Sequence, residues 1–217
     1  MTYVMFDIGG TKTRVGFSED LKTLDKVKKF NTPVKFKEGM EKIIKLVDES
    51  TKEVTGIAGG IRGRLEEDRS GLAREKYLKD WAGKSIVDAL KKYKCEVFLE
   101  NDAAIAGVGE AVFGAGKDME IVAYLTVSTG VGGAKIENGE VDLSAAGFEP
   151  GKQILDIDRT VLGDELEPTL ENLVSGTAVG ERFNCKAYEI PQSDLLWNEL
   201  ADYLAQGLRN TILYWSP

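Results

Sequence analysis

Asp7-Ile8-Gly9-Gly10-Thr11-Lys12-Thr13 is the stretch that decides how the rest of the sequence is interpreted. It continues a nearly unbroken apolar run that begins at Tyr3, a pattern typical of a buried strand. Residues 11–17 alternate as a second strand, so the two glycines are expected to form the turn of a hairpin. Backbone N–H groups in such a turn can converge on an anion, and glycine lets a phosphate approach closely. The alternative is an ordinary tight hairpin.

A second glycine cluster, Ser128-Thr129-Gly130-Val131-Gly132-Gly133, follows a predicted strand over residues 121–127. The pair Asn138-Gly139 comes next and favours a type I′ turn. Two phosphate-type loops, one in each half of the chain, suit a nucleotide that is held across a cleft. Neither loop has the Walker pattern, in which Lys and Ser or Thr follow the last glycine.

Asn101-Asp102 lies between an apolar strand at residues 95–99 and a helix of small residues. Ligands of α/β sheets gather at the carboxyl ends of strands. A carboxylate at that place could accept a proton from a substrate hydroxyl. The alternative is a helix N-cap, for which Asn and Asp are preferred.

The amino-acid composition limits which partners and which catalytic groups the protein can have. The 217 residues include 28 Lys and Arg against 36 Asp and Glu, and the net charge of −8 argues against a nucleic-acid or anionic-membrane partner. Without an apolar run of 18 residues or a leader pattern, the protein is expected to be cytoplasmic. The sequence contains no histidine, which excludes Ser-His-Asp and Cys-His nucleophile systems and nearly every zinc site.

Five motifs in one order resemble those of the ROK family (repressors, open reading frames, kinases), whose kinases are glucokinase-like enzymes of the actin/hexokinase/Hsp70 superfamily. The motifs are Asp7-x-Gly9-Gly10-Thr11-Lys12-Thr13, Leu78-x-x-Trp81-x-Gly83, Glu100-Asn101-Asp102-Ala103, Gly109-Glu110 and Ser128-Thr129-Gly130-Val131-Gly132-Gly133. The resemblance runs from Asp7 to about Trp215, essentially the whole chain. Five motifs in the right order are far more specific than any one of them.

The resemblance implies an α/β fold of the two-domain actin-like ATPase type, which is related to ribonuclease H and has an interdomain cleft. The sequence changes character near residues 114–117, so we expect an N-terminal domain over 1–115 and a second domain over 116–217. Relatives continue beyond the helix that we predict at 193–213, into a glycine-rich adenosine loop. The second domain is therefore expected to be truncated at its C-terminal end.

The resemblance also implies ATP-dependent phosphorylation of a hexose hydroxyl. Asp102 would be the general base, and Asp7 would lie near a Mg²⁺ ion that it holds indirectly. The residues implied in sugar binding are Gly60, Asn101, Glu149, Lys152 and Glu171. The residues implied in ATP and phosphate binding are Asp7, Gly9, Gly10, Thr11, Lys12, Thr13, Thr129, Gly130 and Gly132. The alternative is a sugar- or nucleotide-binding protein of ROK kinase ancestry without turnover.

The sequence departs from the family pattern around the sugar site. Glu149-Pro150-Gly151-Lys152 has lysine where the family has histidine, and residues 156–168 contain none of the cysteines of the family's zinc loop. No zinc is therefore expected. Lys152 could donate to a sugar hydroxyl, pair with Glu149 or Glu171, or project outward. We favour the ion pair, because a lysine close to two carboxylates is charge-paired.

The expected partners are a small-molecule sugar and ATP. Only six residues precede Asp7, too few for the helix-turn-helix of the family's repressors, so no nucleic acid is expected, and no membrane. The helix predicted at 193–213 should bury one apolar stripe, which consists of Leu196, Leu200, Tyr203, Leu204 and Leu208. Four apolar residues follow at 212–215, and an open sheet edge beside them favours a homo-oligomer.

Overall fold

The computed structural model describes residues 1–50, 53–75, 77–142 and 148–217. The chain divides into two compact units, residues 1–105 and 106–217. The division lies within a helix, between Ile105 and Ala106, whereas the sequence predicts it after residue 115. Each unit has its own sheet and its own hydrophobic core.

The first unit is built on a five-stranded sheet. Its strands are β1 (Thr2–Ile8), β2 (Lys12–Ser18), β3 (Lys28–Asn31), β4 (Val54–Ile61) and β7 (Glu96–Asn101), in the spatial order β3-β2-β1-β4-β7. β1 pairs antiparallel with β2 and parallel with β4, which in turn pairs parallel with β7. The carboxyl ends of the parallel strands β1, β4 and β7 therefore lie at the same edge of the sheet. A short ribbon, β5 (Arg64–Leu65) and β6 (Leu72–Arg74), follows β4.

The core of the first unit forms where apolar residues recur at the period of each element. Val4, Phe6 and Ile8 alternate along β1 and are buried. Helix α1 (Phe36–Ser50) buries Met40, Ile43 and Val47 at helical spacing. A short helix, α2 (Ile86–Leu90), adds to the core with both of its terminal residues.

Trp81 fixes α1 against the rest of this unit. It lies in a 3₁₀ turn at Lys79–Trp81, and only 1% of its surface is exposed. The indole Nε1 donates to the carbonyl of Pro33 at 3.1 Å, and the ring meets Phe36 edge-on at 5.3 Å between centroids. A Cβ on Gly39 would lie 2.3 Å from the indole, so only glycine lets α1 approach this closely.

Helix α3 (Asp102–Phe113) begins in the first unit and ends in the second. Its small residues permit close packing, as the sequence predicts. In the second unit a Cβ on Gly107 would lie 2.8 Å from Ile136 and 2.9 Å from Tyr124. This helix therefore lies directly against the second sheet.

The second unit has a three-stranded sheet. Its strands are β8 (Ile121–Val127), β9 (Val131–Glu137) and β10 (Glu140–Val141), in the spatial order β10-β9-β8, and each pair is antiparallel. Asn138 and Gly139 join β9 to β10 with φ values of 53° and 82°. Positive φ at both positions confirms the predicted type I′ geometry.

Three helices pack in the second unit: α4 (Leu170–Val174), α5 (Gly176–Phe183) and α6 (Leu196–Trp215). The stripe that the sequence predicts for α6 is wrong at Leu208, which is 40% exposed. The buried positions are Leu200, Gly207 and Thr211. The reason is a close helix contact, because a Cβ on Gly207 would lie 2.5 Å from Leu170. The backbone of α6, rather than a leucine, meets α4 at that point.

The last turns of α6 carry apolar side chains that face outward. Ile212, Leu213 and Tyr214 are exposed, while Trp215 packs edge-on against Phe148 at 4.7 Å between ring centroids. Self-association through this surface stays a prediction. Neither α6 nor any other helix in the described part of the chain is long and apolar enough to cross a membrane.

Candidate functional site

The turn between β1 and β2 forms the hairpin that the sequence predicts. The Gly9 N–H donates to the carbonyl of Lys12 at 3.0 Å, which closes the turn. Thr11 and Lys12 are exposed, and Lys12 Nζ donates to Asn31 on β3. A Cβ on Gly10 would lie 3.2 Å from the side chain of Tyr77, so glycine lets that residue pack on the turn.

Thr13 differs from its expected role as a phosphate contact. Its side chain is fully buried, and its hydroxyl lies 2.9 Å from that of Thr32. The Thr32 hydroxyl in turn donates to the carbonyl of Gly9 at 2.8 Å. Strand alternation explains the difference, since odd-numbered residues of β2 point inward here. Thr13 therefore supports the turn from beneath instead of facing a ligand.

Asp7 lies near the end of β1, directly opposite Arg14 on β2. Arg14 Nη1 donates to Asp7 Oδ2 at 2.5 Å, and both side chains remain substantially exposed. Sequence motifs alone did not single out Arg14. The hairpin register could have done so, because a turn at Gly9-Gly10 places residues 7 and 14 across from each other.

Asn101 is the N-cap of α3. Its Oδ1 accepts hydrogen bonds from the N–H groups of Ala103 at 3.0 Å and Ala104 at 3.1 Å. Its Nδ2 donates to the carbonyl of Gly63 at 3.1 Å. The N-cap alternative thus describes Asn101, whose oxygen is already used within the protein.

Asp102 is the first residue of α3 and is partly buried beside β4. Its Oδ1 accepts from the Ala103 N–H at 2.9 Å. Gly60 stands next to it in β4, where it pairs with Asp7 in β1. A Cβ on Gly60 would lie 3.1 Å from Ile105 and 3.4 Å from the Asp102 Cα. Glycine at this position therefore lets α3 approach the sheet.

The electrostatics distinguish Asp102 from an ordinary surface carboxylate. Burial raises its pKa above the usual 3.8, and the negative charge of Asp7 raises it further. The Ala103 N–H and the nearby Arg62 act in the opposite direction. A partly desolvated carboxylate with a raised pKa is the kind of group that accepts a proton in catalysis.

Arg62 is a second basic residue that sequence motifs did not single out. Its guanidinium lies over the ring of Tyr77 at 4.5 Å, and its Nε lies 3.5 Å from Glu75 Oε1. The Arg62 N–H donates to the carbonyl of Ile8 at the end of β1. No local motif marks this residue, since its position follows from the pairing of β4 with β1.

In the second unit, the loop between β8 and β9 is held from three directions. The Gly176 N–H, at the start of α5, donates to the carbonyl of Ser128 at 2.7 Å. The next amide, of Thr177, donates to the carbonyl of Thr129 at 3.2 Å. The third contact is the Val131 N–H, which donates to a carboxylate oxygen of Glu171 at 2.8 Å.

The glycines of this loop have different surroundings. A Cβ on Gly130 would lie 2.6 Å from Glu171 Oε2, so glycine lets the carboxylate approach the backbone. Gly132 lies within β9 and pairs with Thr126. Of the two, Gly130 is in the loop and Gly132 is part of the sheet.

Lys152 and Glu171 form an ion pair in this unit, at 2.9 Å between Lys152 Nζ and Glu171 Oε1. Of the arrangements that the sequence left open, the structure shows this one. The hydrogen bond with Glu171 raises the pKa of Lys152, so the lysine is charged. Thr169 begins α4 by accepting from the Asn172 N–H, which places Glu171 in the first turn of the helix.

Glu149 precedes a 3₁₀ turn at Pro150–Lys152. Burial raises the pKa of Glu149, and the charge of Glu171 adds to the effect while Lys152 opposes it. The turn packs tightly on β9, because a Cβ on Gly151 would lie 2.4 Å from the carbonyl of Val131. Glu149, Lys152, Glu171 and the loop before β9 are therefore brought together within one unit.

Residues 156–168 hold themselves by local polar contacts. The buried Asp156 accepts from the N–H groups of Val161 at 3.2 Å and Leu162 at 2.8 Å. Arg159 Nη1 donates to three carbonyls, those of Gly163, Asp164 and Leu166. The segment lacks cysteine and histidine, so its residues do not fit a zinc ion. The Asp156 carboxylate and the Arg159 guanidinium organise it instead.

Each unit brings charged side chains together near a glycine-rich segment. The first has a carboxylate with a raised pKa beside a glycine turn, together with Asp7 and the basic side chains of Lys12, Arg14 and Arg62. The second has a glycine loop next to two carboxylates and a lysine. Phosphoryl transfer depends mainly on positioning and on compensating negative charge, which these groups can supply.

Two curated relatives are sugar kinases by name. A glucokinase from Thermotoga maritima is 30% identical over 201 residues, which cover 88% of this chain and 62% of the relative. A fructokinase from Pediococcus pentosaceus is 28% identical over 145 residues, which cover 63% of this chain and 49% of the relative. The alignments therefore span about half to two thirds of these two relatives.

The crystal structure of a ROK hexokinase from Thermus thermophilus is similar to this chain, with a TM-score of 0.80 at 27% identity. The match covers 100% of this chain and 79% of the hexokinase chain. It confirms the expected α/β fold of the actin-like ATPase type.

The family resemblance is also confirmed along the sequence. The model of the ROK family matches residues 3–217, nearly the full length of the chain. The chain belongs to the ROK family.

Proposed function

We propose that the protein is a sugar kinase that transfers the γ-phosphate of ATP to a hexose hydroxyl, with Asp102 as the general base. The observation that carries the proposal is the environment of Asp102. Its carboxylate is partly buried at the start of α3, burial raises its pKa, and Asp7 lies near enough to raise it further. Such a carboxylate accepts a proton from a sugar hydroxyl more readily than an exposed one does.

The residues of the first unit fit a nucleotide with Mg²⁺. Mg²⁺ is usually held by one or two carboxylates together with phosphates and water. Asp7, beside the Gly9-Gly10 turn, offers one such carboxylate, and no larger group of candidate ligands occurs among the described residues. When bound, the ion would neutralise charge on the transferred phosphoryl group. Lys12, Gly9 and Gly10 would face the phosphates, and Thr13 would support the turn.

The proposal is tested by turnover. Purified protein is incubated with ATP, Mg²⁺ and a panel of hexoses that includes D-glucose and D-fructose, and ADP is measured. We expect at least one sugar to give ADP well above the sugar-free background. A panel without any sugar-dependent ADP would contradict the proposal. The variant that tests the base is Asp102→Asn. Its matched control is Asp25→Asn, which changes an exposed carboxylate on the same unit and should leave turnover unchanged.

The pH dependence provides a separate prediction. The base must be ionised to accept a proton, so activity rises as pH rises through the pKa of Asp102. Because burial raises that pKa above 3.8, the acid limb of kcat/KM should have its midpoint above the usual carboxyl value. Glu149 also has a raised pKa, so the profile is repeated with Glu149→Gln. A limb that disappears or shifts in this variant would assign it to Glu149 and contradict the prediction.

A second candidate is a sugar- or nucleotide-binding protein without turnover. It is favoured by one observation: two residues expected to hold sugar hydroxyls already have internal partners. Asn101 caps α3, and Glu171 is bonded to Val131 and Lys152. Calorimetry separates the candidates, since saturable sugar binding without ADP formation would support the second.

A further inference from the structure

The carboxylate of Glu171 connects two parts of the second unit. Its Oε2 accepts from the Val131 N–H at 2.8 Å, and its Oε1 accepts from Lys152 Nζ at 2.9 Å. The two oxygens belong to one rigid planar group, so a change at either oxygen moves the other. Glu171 is thus a bridge between the lysine and the loop that precedes β9.

Glycines lie on both sides of the bridge, where the carboxylate and the lysine turn come close to the backbone. A Cβ on Gly130 would lie 2.6 Å from Glu171 Oε2, and a Cβ on Gly151 would lie 2.4 Å from the carbonyl of Val131. At Gly151 a Cβ would collide with the backbone, whereas at Gly130 it would meet the end of the Glu171 side chain, which would have to move away from Val131. The backbone on either side of Val131 is therefore shaped so that the carboxylate and the lysine turn can both approach it.

The other contacts of the loop are of a different kind. The carbonyls of Ser128 and Thr129 accept from the backbone of α5, at Gly176 and Thr177. Backbone partners in a helix cannot reorient without moving the helix. Glu171 is a side chain in the first turn of α4, so the contact at Val131 can change while the fold stays as it is.

A ligand can reach this bridge. The side chain of Lys152 is 54% exposed, and that of Glu171 is 28% exposed. A sugar hydroxyl that donates to Glu171, or accepts from Lys152, would compete directly with the ion pair. This step rests on the proposed function, taken together with the family resemblance, which implies that the sugar contacts these two residues and that nucleotide phosphates contact the loop.

We propose that Glu171 is a positioning residue that transmits sugar binding at Lys152 to the Val131 amide, and so sets the affinity of the loop for nucleotide phosphates. Sugar and nucleotide then bind with a coupling that passes through one carboxylate. Coupling between two sites is reciprocal, so nucleotide must change the affinity for sugar by the same factor.

The contact at Val131 is tested without any ligand, by amide hydrogen exchange. The Val131 N–H should exchange about tenfold faster in Glu171→Ala than in the wild type, since its acceptor is removed. Glu165→Gln, an exposed carboxylate in the neighbouring segment, should leave the rate unchanged. If Glu171→Ala fails to fold, Glu171→Met is used, which keeps the length of the side chain but has no oxygen that could accept from Val131. An unchanged exchange rate at Val131 would overturn the inference.

The coupling is tested by calorimetry with the non-hydrolysable β,γ-imido analogue of ATP. In the wild type, saturating D-glucose or D-fructose should tighten binding of the analogue by about tenfold, within the usual range of coupling between sites. In Glu171→Gln and Lys152→Met the same sugar should change the affinity less than about twofold. Lys117→Met, an exposed lysine of the same unit, should keep the full effect. A purely structural role of Glu171 would lower the unfolding midpoint and leave the coupling intact.

The outcomes separate this inference from the proposed function. Coupling that persists in both variants would overturn the inference, and so would a wild type without coupling or without analogue binding. Because coupling is read from binding, a protein that shows it but forms no ADP would refute the kinase proposal alone. Turnover together with persistent coupling would refute only the inference.

Discussion

Asp102→Asn is expected to lower kcat for sugar phosphorylation by about a thousandfold, which is in the middle of the range of rate enhancement that a general base supplies. Asn has nearly the shape of Asp but cannot take the proton of the sugar hydroxyl. The start of α3 should be unaffected, because Asn101 and not Asp102 caps the helix. Steady-state kinetics at saturating ATP and sugar measure the effect, with Asp25→Asn as control. A kcat within about threefold of the wild type would remove Asp102 from the mechanism.

Asp102→Asn is expected to lower activity but to leave the stability of the fold unchanged or to raise it. Burial raises the pKa of Asp102 in the folded chain, so the folded state binds the proton more tightly than the unfolded state does. The ionised form therefore costs stability at pH values above the folded pKa, and the cost vanishes below the unfolded value. Asp102→Asn should unfold at the same temperature as the wild type, or at a higher one, at pH 7. Lost activity in a variant that is no less stable can then be assigned to chemistry.

Trp81→Ala is expected to lower the free energy of unfolding by about 3–5 kcal/mol, the usual cost of removing a buried Trp or Phe side chain. The indole is 1% exposed and fills the contact with Gly39, so its removal leaves a cavity between the Lys79–Trp81 turn and α1. The hydrogen bond to Pro33 and the edge contact with Phe36 are lost as well. Chemical denaturation followed by circular dichroism measures the change.

Trp81→Phe provides the matched comparison. It keeps an aromatic ring in the cavity but loses the Nε1 donor, which leaves the Pro33 carbonyl without that partner. We expect a smaller cost, about 1–3 kcal/mol, from the unsatisfied group and the smaller ring. The prediction for Trp81 would be wrong if alanine cost less than phenylalanine, or less than about 1 kcal/mol.

Features that depend on neighbouring residues could be predicted from the sequence. The hairpin of β1 and β2 follows from an apolar run, two glycines and an alternating strand. The turn at Asn138-Gly139 needs positive φ at both positions, which these two residues adopt readily. Ser85, a preferred N-cap residue that precedes the apolar residues of α2, accepts from the Asp88 N–H at the start of that helix.

Features that depend on which side chain meets which could not be predicted. Thr13 and Arg14 are adjacent, yet one supports the turn from beneath and the other faces Asp7, as the alternation of β2 dictates. Leu208 was expected in the core, but the close approach of α6 to Leu170 places Gly207 there. The choice between cap and base at Asp102 was open, because an aspartate suits both roles until the start of the helix is known.

The family resemblance supplied what local patterns could not. It assigns Glu149 and Glu171 to one sugar site. In the structure both carboxylates lie close enough to Lys152 to raise the pKa of that lysine. The resemblance gave no indication of Arg62 or of the bond between Glu171 and Val131. Those contacts depend on where the folded chain places each side chain and backbone group, which the motifs do not specify.

The way Asp156 and Arg159 organise their segment has a consequence for the folding pathway. Their side-chain hydrogen bonds close within residues 156–166, so the loops involved are shorter than a dozen residues. Loops of about ten residues close in roughly 10–100 ns, long before a sheet with distant strands can assemble. A segment built around a metal ion must wait for that ion to arrive. This one can sample its bonded arrangement as soon as its own residues are free to move, and α4 can then pack against a structure already in place.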